Sequence, residues 1–200
     1  MAIVDDLNRL RDWLQAEVCD KVSLKMPTGA TDDDVSSFEV VNPTAFILYQ
    51  PGKDRLPPNV KAPIPSVCIR MTEGEHLTQE STGTMEIMLH FCTWNPGLHS
   101  SDVFTPIDGA GINGYNQGVK EAYKRTADGW QDVYSFVDTT LRTIEKAEYI
   151  AGMRLVAEKG VKFGMIGNDD LSDFYPIWLA WVSFTLQTGN VRPKSFDELL

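Results

Sequence analysis

The chain has 200 residues, a length typical of one domain, and its 42% hydrophobic and 23% charged residues match ordinary globular usage. This composition excludes a globally disordered chain. The formal net charge of −10 argues against a protein that coats DNA, because phosphate binding needs clustered Lys and Arg. A protein past whose acidic wall DNA slides is still compatible with that charge.

The cysteines and the N-terminal segment indicate a cytoplasmic protein. The three cysteines, Cys19, Cys68 and Cys92, have no CxxC spacing and are too few for a disulfide framework, so we expect reduced thiols. The segment MAIVDDLNRLRDWL carries acids where a signal peptide needs bases. No stretch approaches the roughly 20 apolar residues of a membrane-spanning helix. We therefore expect the protein to be made and kept in the cytoplasm.

The chain opens with the pattern of an amphipathic helix. Apolar residues recur at helical spacing, and we expect Leu7, Leu10 and Leu14 to be buried. The full apolar set is Ile3, Leu7, Leu10, Leu14 and Val18. The helix is predicted to end near residues 19–21. The acidic stretch that follows, through Pro27 and Asp32 to Asp34, is predicted to be a loop.

Strand signals follow. Residues 38–41 (FEVV) and 45–50 (AFILYQ) flank Asn42-Pro43, a dipeptide that favours a turn. Residues 51–65 contain five prolines, which exclude a helix or a central strand, so we predict an extended arm or loop. Residues 66–71 (SVCIRM) are predicted to form a strand.

The next strand alternates clearly. A long hairpin connection is predicted from Glu73 to Gly83, and residues 84–94 (TMEIMLHFCTW) form its partner strand. One face of that strand is apolar and the other is polar. The apolar face presents Met85, Ile87, Leu89 and Phe91, and the polar face presents Glu86, His90 and Cys92.

A second long insertion, residues 95–128, precedes a second helix. We predict a short helix at 117–125 within the insertion. Asp128 and Gln131 have the spacing of a capping box at the start of the second helix. The apolar face predicted for that helix consists of Trp130, Val133, Tyr134, Val137, Leu141 and Ile144, of which we expect Trp130, Val137 and Leu141 to be buried.

Three strand candidates close the chain, at 153–157, 161–166 and 175–187. The order of helix, strands, helix and strands predicts an α+β fold. We expect a mostly antiparallel twisted sheet with two helices packed on one face and with long loops. Residues 1–190 are predicted to form one domain and residues 191–200 a peripheral tail.

The strand predicted at 175–187 is apolar on both faces. Tyr175, Ile177, Leu179 and Trp181 alternate with Trp178, Ala180, Val182, Phe184 and Leu186. An antiparallel strand in a monomer normally leaves one face wet. One face can pack on the helices, and the other must meet a long loop of the same chain or a neighbouring subunit, because large aromatic patches mark interfaces. We therefore predict an oligomer interface among Trp178, Trp181 and Phe184, at whichever tryptophan faces away from the helices.

A metal site is the sharpest enzymatic alternative. His90 and Cys92 share a strand face, and His99 and His76 are near them in sequence. Zinc needs further ligands in a tetrahedral array, and the spacing matches no known zinc pattern. We therefore predict no bound metal and no cofactor.

Other catalytic or binding motifs are weak. Ser66 and Ser81 lack a nucleophile-elbow context. The glycine-rich stretch 109–114 does not follow a buried strand and lacks the Lys-Ser/Thr of a phosphate loop. Solvated loops explain the acidic runs, although residues 168–173 loosely resemble a calcium loop. The basic cluster is Lys120, Lys124 and Arg125. No motif supports an enzyme.

Several segments together resemble a known family. They are the N-terminal helix, SVCIRMTEG after a proline-rich stretch, TMEIMLHFCTW, GWQDVYSFVDTTLRTIEK and WLAWVSFTLQTG. Their order is similar to that of the tail-terminator (tail-completion) proteins of long-tailed bacteriophages, over about two thirds of the chain. The long loops at 51–65 and 95–128 depart from the compact pattern of that family.

The resemblance implies a structural role. Such proteins form rings, commonly hexamers, that cap the finished tail tube, stop its polymerisation and offer a docking face to the head. The implied partners are other copies of the chain, the tail tube protein and a neck or head-completion protein, while DNA passes through the lumen without specific binding. The expected location is the host cytoplasm and then the virion tail. We expect the loops 51–65 and 95–128 to reach neighbouring subunits. Another phage neck or baseplate protein, and a metal-dependent enzyme using His90 and Cys92, are the alternatives.

Overall fold

The computed structural model describes residues 3–28, 38–77, 82–96, 129–166 and 176–189. Within these ranges two helices accompany a sheet of six strands and a separate sheet of two strands. The predicted α+β class is confirmed, and the main sheet is mostly antiparallel. None of the helices in these ranges has the length and apolar character needed to cross a lipid bilayer.

Helix α1 spans Ile3–Glu17 and is followed by a short 3-10 turn at Cys19–Lys21. Leu7, Leu10 and Leu14 are buried, as predicted, because one stripe of the helix packs on the sheet. The stripe begins at Leu7, since Ile3 in the first turn is exposed.

Strands β1 (Leu24–Pro27) and β2 (Phe38–Val41) pair antiparallel and form the two-stranded sheet. The prediction of β2 is confirmed. Strand β1 was missed, because it lies within a stretch that we predicted to be a loop. Leu24 and Met26 on β1 are buried, so tertiary packing rather than local propensity defines this strand.

Strand β3 spans Thr44–Ile47 and pairs in parallel with β4, which spans Ser66–Leu77. The residues between them, 51–65, contain only a 3-10 turn at Lys53–Arg55, as the prolines predicted. Strand β3 is shorter than predicted, because Leu48 adopts a φ of 69° and ends the extended segment.

The hairpin connection between β4 and β5 is much shorter than predicted. Strand β5 spans Thr82–Trp94, and the pairing of β4 with β5 continues to Leu77 and Thr82. Glu73 to Leu77 are therefore strand residues. A change of register between Met71 and Glu73 marks a bulge, which accommodates Thr72.

Helix α2 spans Trp130–Lys146 and buries Val133, Phe136, Val137, Thr140 and Ile144. The predicted face is wrong in part. Trp130 is 43% exposed and Leu141 is only partly buried, while Phe136 packs edge to face on Phe91 with ring centroids 4.9 Å apart. The stripe is centred on Phe136 and Thr140, which the sequence pattern did not include. Asp128, the predicted cap, lies outside the described residues.

Three strands complete the main sheet: β6 (Arg154–Leu155), β7 (Lys162–Met165) and β8 (Ile177–Thr188). The order is β3-β4-β5-β8-β6, with β7 also paired to β8. The three predicted strands are confirmed, although residues 157–159 form a 3-10 turn.

Both helices cover the same face of the sheet, which we call the helix face. Helix residues and alternate strand residues belong to one buried cluster. The strand residues of the helix face are Val67, Ile69, Met85, Ile87, Leu89, Phe91, Ala180, Val182, Phe184 and Leu186. The predicted placement of two helices on one face is therefore correct.

Candidate interaction surfaces

The second face of the main sheet carries the remaining strand side chains and is not covered by either described helix. Its members alternate with the helix-face residues along each strand. They include Cys68, Arg70, Glu86, Met88, His90, Cys92, Leu179, Trp181 and Ser183. Leu179, Trp181, Met88 and His90 are only partly buried. This face is more apolar toward Leu179 and more polar toward Glu86.

Trp181 belongs to a cross-strand row on the second face. The row runs Phe46, Cys68, His90, Trp181 and Gly164 across five strands. The indole covers Gly164, since a Cβ built at that glycine would be 3.2 Å from Trp181 Nε1. The absence of a side chain at Gly164 therefore lets the ring extend toward the β7 edge of the sheet.

The other two predicted interface residues lie on the helix face. The Trp178 indole Nε1 donates a hydrogen bond to the Asn95 carbonyl oxygen at 2.8 Å. Phe184 is 2% exposed and packs in the core. Of the three predicted residues, Trp181 is thus the one that faces away from the helices.

His90 and Cys92 share the second face, as the alternation predicted, but their surroundings are unfavourable for a cation. Burial and then the positive charge of Arg70 lower the pKa of the His90 imidazole. The same guanidinium would repel a metal ion. No group of three or more His, Cys, Asp or Glu side chains is gathered within the described ranges. His76 is exposed near the hairpin end, and His99 lies outside those ranges.

The three thiols are buried and free. Burial raises the pKa of Cys92 to about 12, and burial followed by the negative charge of Asp20 raises that of Cys19 to about 12. Burial also raises the pKa of Cys68, although the nearby Arg70 opposes the shift by its charge and by a hydrogen bond. These thiols are therefore protonated at neutral pH, which disfavours both nucleophilic attack and metal ligation.

The remaining candidate groups are dispersed or lie outside the described residues. Ser66 is buried at the start of β4, and Glu73 and Glu75 are exposed on the same strand. The other predicted candidates lie outside the described ranges. They are Ser81, Asp32 to Asp34, the glycine-rich stretch 109–114, the segment 117–125 with its basic cluster, residues 168–173 and the tail 191–200.

Asn95, the residue after β5, is hydrogen-bonded to β1, α2 and β8 at the base of the long insertion. Its side-chain amide donates to Asp132 Oδ2 of α2 at 2.5 Å and accepts from Lys25 Nζ of β1 at 3.2 Å. Its backbone N–H donates to the Pro176 carbonyl oxygen at 2.9 Å. A Cβ built at Gly129 would be 2.1 Å from the Asn95 carbonyl oxygen, so the chain on either side of residues 97–128 meets at one point.

The outer edge of β3 is partly closed by a side chain of α1. The Gln15 amide donates to the Pro43 carbonyl oxygen at 3.2 Å and accepts from the Ala45 N–H at 3.0 Å. It thereby takes the place of one residue of a neighbouring strand. Beyond it, the Tyr49 N–H donates to the Ile47 carbonyl oxygen at 2.9 Å, in a γ-turn of the rare type around Leu48.

The segment 51–65 packs beside this edge. A groove of about 350 Å³ separates it from α1 and is lined by Arg11, Ala45, Ile47, Pro57 and Val60, among others. The Gln50 side chain donates to the Pro63 carbonyl oxygen at 2.8 Å and holds the segment in place. The proline-rich segment is therefore one wall of a groove along a sheet edge.

Sequence reasoning missed Gln15, Asn95, Gly129 and Gly164. Asn95 had a weak signal, since an Asn-Pro dipeptide follows a predicted strand. Gln15 had none, because its partners are 28 and 30 residues away in the chain. The roles of Gly129 and Gly164 depend on which side chains approach them, and a single sequence does not contain that information.

No protein-family model matches the chain, and the curated proteins contain no similar sequence. The features described above are therefore the basis for a functional proposal, together with the resemblance in the order of sequence segments.

Proposed function

We propose that the protein is a structural subunit of a phage tail or tail-like particle, and specifically a tail terminator. In this role it caps the tail tube, stops its polymerisation and forms the interface to the head. Its partners are further copies of itself in a ring, commonly a hexamer, the tail tube protein, and a neck or head-completion protein. DNA passes through the ring without specific binding.

The observation that carries the proposal is a partly exposed apolar strip on the sheet face that neither described helix covers. Both helices pack on one face, while the second face presents partly buried Leu179, Trp181 and Met88. Surfaces of this kind fit protein contacts. The described residues that are capable of catalysis are dispersed, or buried and neutral, which fits a protein that acts through its surfaces.

A terminator has to present two different faces along the axis of the tube. A tube grows by adding like rings, so the last ring must accept the tube on one side and refuse another ring on the other. Lateral contacts close the ring and leave no open side for further lateral growth. Trp181 is our candidate at or near the lateral contact, and the segment 51–65 and residues 95–128 are candidates for contacts to adjacent rings or subunits.

The test is genetic and visual. The gene is removed from its parent phage or tail-like particle, and the lysate is imaged by electron microscopy. We expect overlong tubes, or tails that do not join heads, and we expect the wild-type gene supplied in trans to restore normal tails. Infectious particles with tails of normal length in the absence of the protein would refute the proposal.

A variant pair links the phenotype to the second face. Trp181→Ser should complement poorly, whereas Tyr149→Ser, which also alters an exposed aromatic residue but lies away from this face, should complement fully. Both purified variants should keep the wild-type circular dichroism spectrum, which excludes a folding defect. Equal complementation by the two would remove Trp181 from the proposal.

The two alternatives are separated by other measurements. A neck or baseplate protein shares the assembly logic, and labelling the protein in the particle shows which end of the tail it occupies. A metal-dependent enzyme using His90 and Cys92 would contain stoichiometric metal. We expect no zinc by elemental analysis and no loss of function in His90→Ala, because Arg70 lies beside the imidazole.

A further inference from the structure

We propose that neighbouring copies join edge to edge, with β7 of one copy pairing antiparallel with the outer edge of β3 of the next. In this contact Phe163 of β7 enters the groove between α1 and the segment 51–65. The proposal rests on the proposed ring-forming function and assigns the lateral contact of that ring.

Two backbone groups on the outer edge of β3 have no hydrogen-bond partner among the described residues. Thr44 N–H and Leu48 N–H point toward β4, where they donate to the Pro65 and Ile69 carbonyl oxygens. The backbone N–H and C=O groups of Ala45 and Ile47 therefore point away from β4, toward the outer edge. The Ala45 N–H donates a hydrogen bond to the Gln15 side chain, and the Ile47 carbonyl oxygen accepts one from the Tyr49 N–H. The Ala45 carbonyl and the Ile47 N–H have no hydrogen-bond partner in the described part of the chain.

The edge at the opposite side of the sheet offers the matching groups. The Ile166 N–H donates to the Leu179 carbonyl oxygen, so alternate residues of β7 point toward β8 and the others point outward. The outward residues are Phe163 and Met165, and their backbone groups have no partner within the described ranges. Phe163 is 53% exposed, and an exposed aromatic residue on a bare edge strand favours association.

The two edges agree in direction. Strand β3 runs parallel to β4, and β4, β5, β8 and β7 are successively antiparallel. Strands β3 and β7 consequently run in opposite directions within one copy. A neighbour related by rotation about an axis along the strands therefore brings β7 antiparallel to β3, the more stable arrangement of a ladder.

The edges also agree in register and in face. Phe46 and Gly164 belong to the same cross-strand row, so a sideways neighbour places them opposite each other. Met165 then lies opposite Ala45, where its carbonyl replaces the Gln15 side chain as acceptor of the Ala45 N–H, and Phe163 lies opposite Ile47. The side chains of all four residues lie on the helix face. The helices of both copies are therefore on the same side of the joined sheet. The Met165 N–H meets the Ala45 carbonyl, and the Ile47 N–H meets the Phe163 carbonyl.

Side chains extend the contact beyond these two bonds. Phe163 reaches the groove of about 350 Å³ beside Ile47, whose walls include Pro57 and Val60. On the second face, Trp181 lies over Gly164 and comes beside Phe46 of the neighbour. Because the contact joins two different edges, repetition generates a ring when the rotation closes.

Cysteine cross-linking in concentrated solution tests the contact. Residues opposite each other in such a ladder have Cα atoms about 5.5 Å apart, a separation that a disulfide spans. We expect the double variant Ile47→Cys/Phe163→Cys to give a ladder of oligomers on a non-reducing gel after mild oxidation. A mixture of the two single variants should stop at the dimer. The wild-type protein, whose cysteines are buried, gives the background.

A control pair and two further variants make the result decisive. Val40→Cys/Phe163→Cys combines two exposed positions that the contact keeps apart and should give no ladder. Phe163→Asp should abolish self-association in sedimentation velocity, whereas Tyr149→Asp should not. A ladder no stronger than that of the control pair, or dimerisation of Phe163→Cys alone, would overturn the edge-to-edge contact.

The outcomes for the contact and for the proposed function are separable. Rings in micrographs together with no cross-link between positions 47 and 163 would refute the contact and leave the ring. Cross-linked ladders together with normal tails in a phage that lacks the gene would keep the contact and refute the tail-terminator role. Binding of a tube-protein segment to the β3 edge in place of a second copy would also refute the contact.

Discussion

The buried thiols predict how the stability of the fold depends on pH. The folded protein raises the pKa of Cys19 and Cys92 from 9.0 to about 12 because burial penalises the thiolate. The resulting contribution to stability is present below pH 9, where both states are protonated, and is lost as pH rises toward 12. We expect the free energy of unfolding to fall across this window.

Thiol labelling measures the same effect. At pH 8 the native protein should react slowly with a thiol reagent, and the denatured protein should react at all three cysteines. Cys68 should be the fastest of the three in the native state, because Arg70 opposes the rise of its pKa. Rapid native labelling of Cys19 or Cys92 would contradict this burial.

The close packing around Gly129 predicts that a larger residue at this position destabilises the fold. In Gly129→Ala the added Cβ would lie 2.1 Å from the Asn95 carbonyl oxygen and 2.7 Å from Trp178 Nε1. Either the start of α2 or the end of β5 must shift, and we expect a loss of about 1–3 kcal/mol, the usual range for overpacking. Gly189→Ala is the matched control, because its added Cβ meets no atom within 4 Å. Equal melting temperatures of the two variants would contradict the close approach.

Residue-level predictions from the sequence succeeded where alternation in a strand decides the outcome. The faces of β5 followed directly from its pattern, so His90 and Cys92 were correctly placed together. The sequence left the outward tryptophan open between Trp178 and Trp181, and it included Phe184 in the interface although the helices cover that residue. Both faces of β8 are apolar, and only the position of the helices distinguishes them.

At the scale of elements, the two helices predict different costs for the same Leu→Ala substitution. Leu10 of α1 is fully buried, whereas Leu141 of α2 is only partly buried. Leu10→Ala should therefore cost about 2–5 kcal/mol, and Leu141→Ala should cost clearly less. Urea unfolding of both variants measures the difference. A larger loss in Leu141→Ala would mean that the face of α2 is assigned incorrectly.

The elements that sequence reasoning missed depend on partners distant in the chain. Strand β1 is short and exists because it pairs with β2 and buries Leu24 and Met26. The second half of β4 contains Glu and Gly, which have low strand propensity, yet its backbone pairs with β5 as far as Leu77. The amphipathic pattern of α1, in contrast, was sufficient to predict its buried residues.

At the scale of the whole molecule, the net charge of −10 provides a test of the proposed self-association. Copies of a strongly acidic chain repel one another over distances that salt controls. Raising the ionic strength from about 0.01 M to about 1 M shortens the screening length from about 30 Å to about 3 Å. We expect self-association to strengthen over this range, as measured by sedimentation velocity. Weaker association at high salt would indicate that ion pairs dominate the contact and would contradict an apolar edge-to-edge joint.

The close approach of Asn95 and Gly129, on either side of residues 97–128, has a consequence for how this protein can evolve. The chain enters and leaves residues 97–128 at one point, which is already fixed by Lys25, Asp132 and Trp178. Doubling the length of a loop whose ends are held costs only about 0.6 kcal/mol. Descendants of this gene can therefore lengthen, trim or exchange the residues between these fixed ends while inheriting the same sheet and helices.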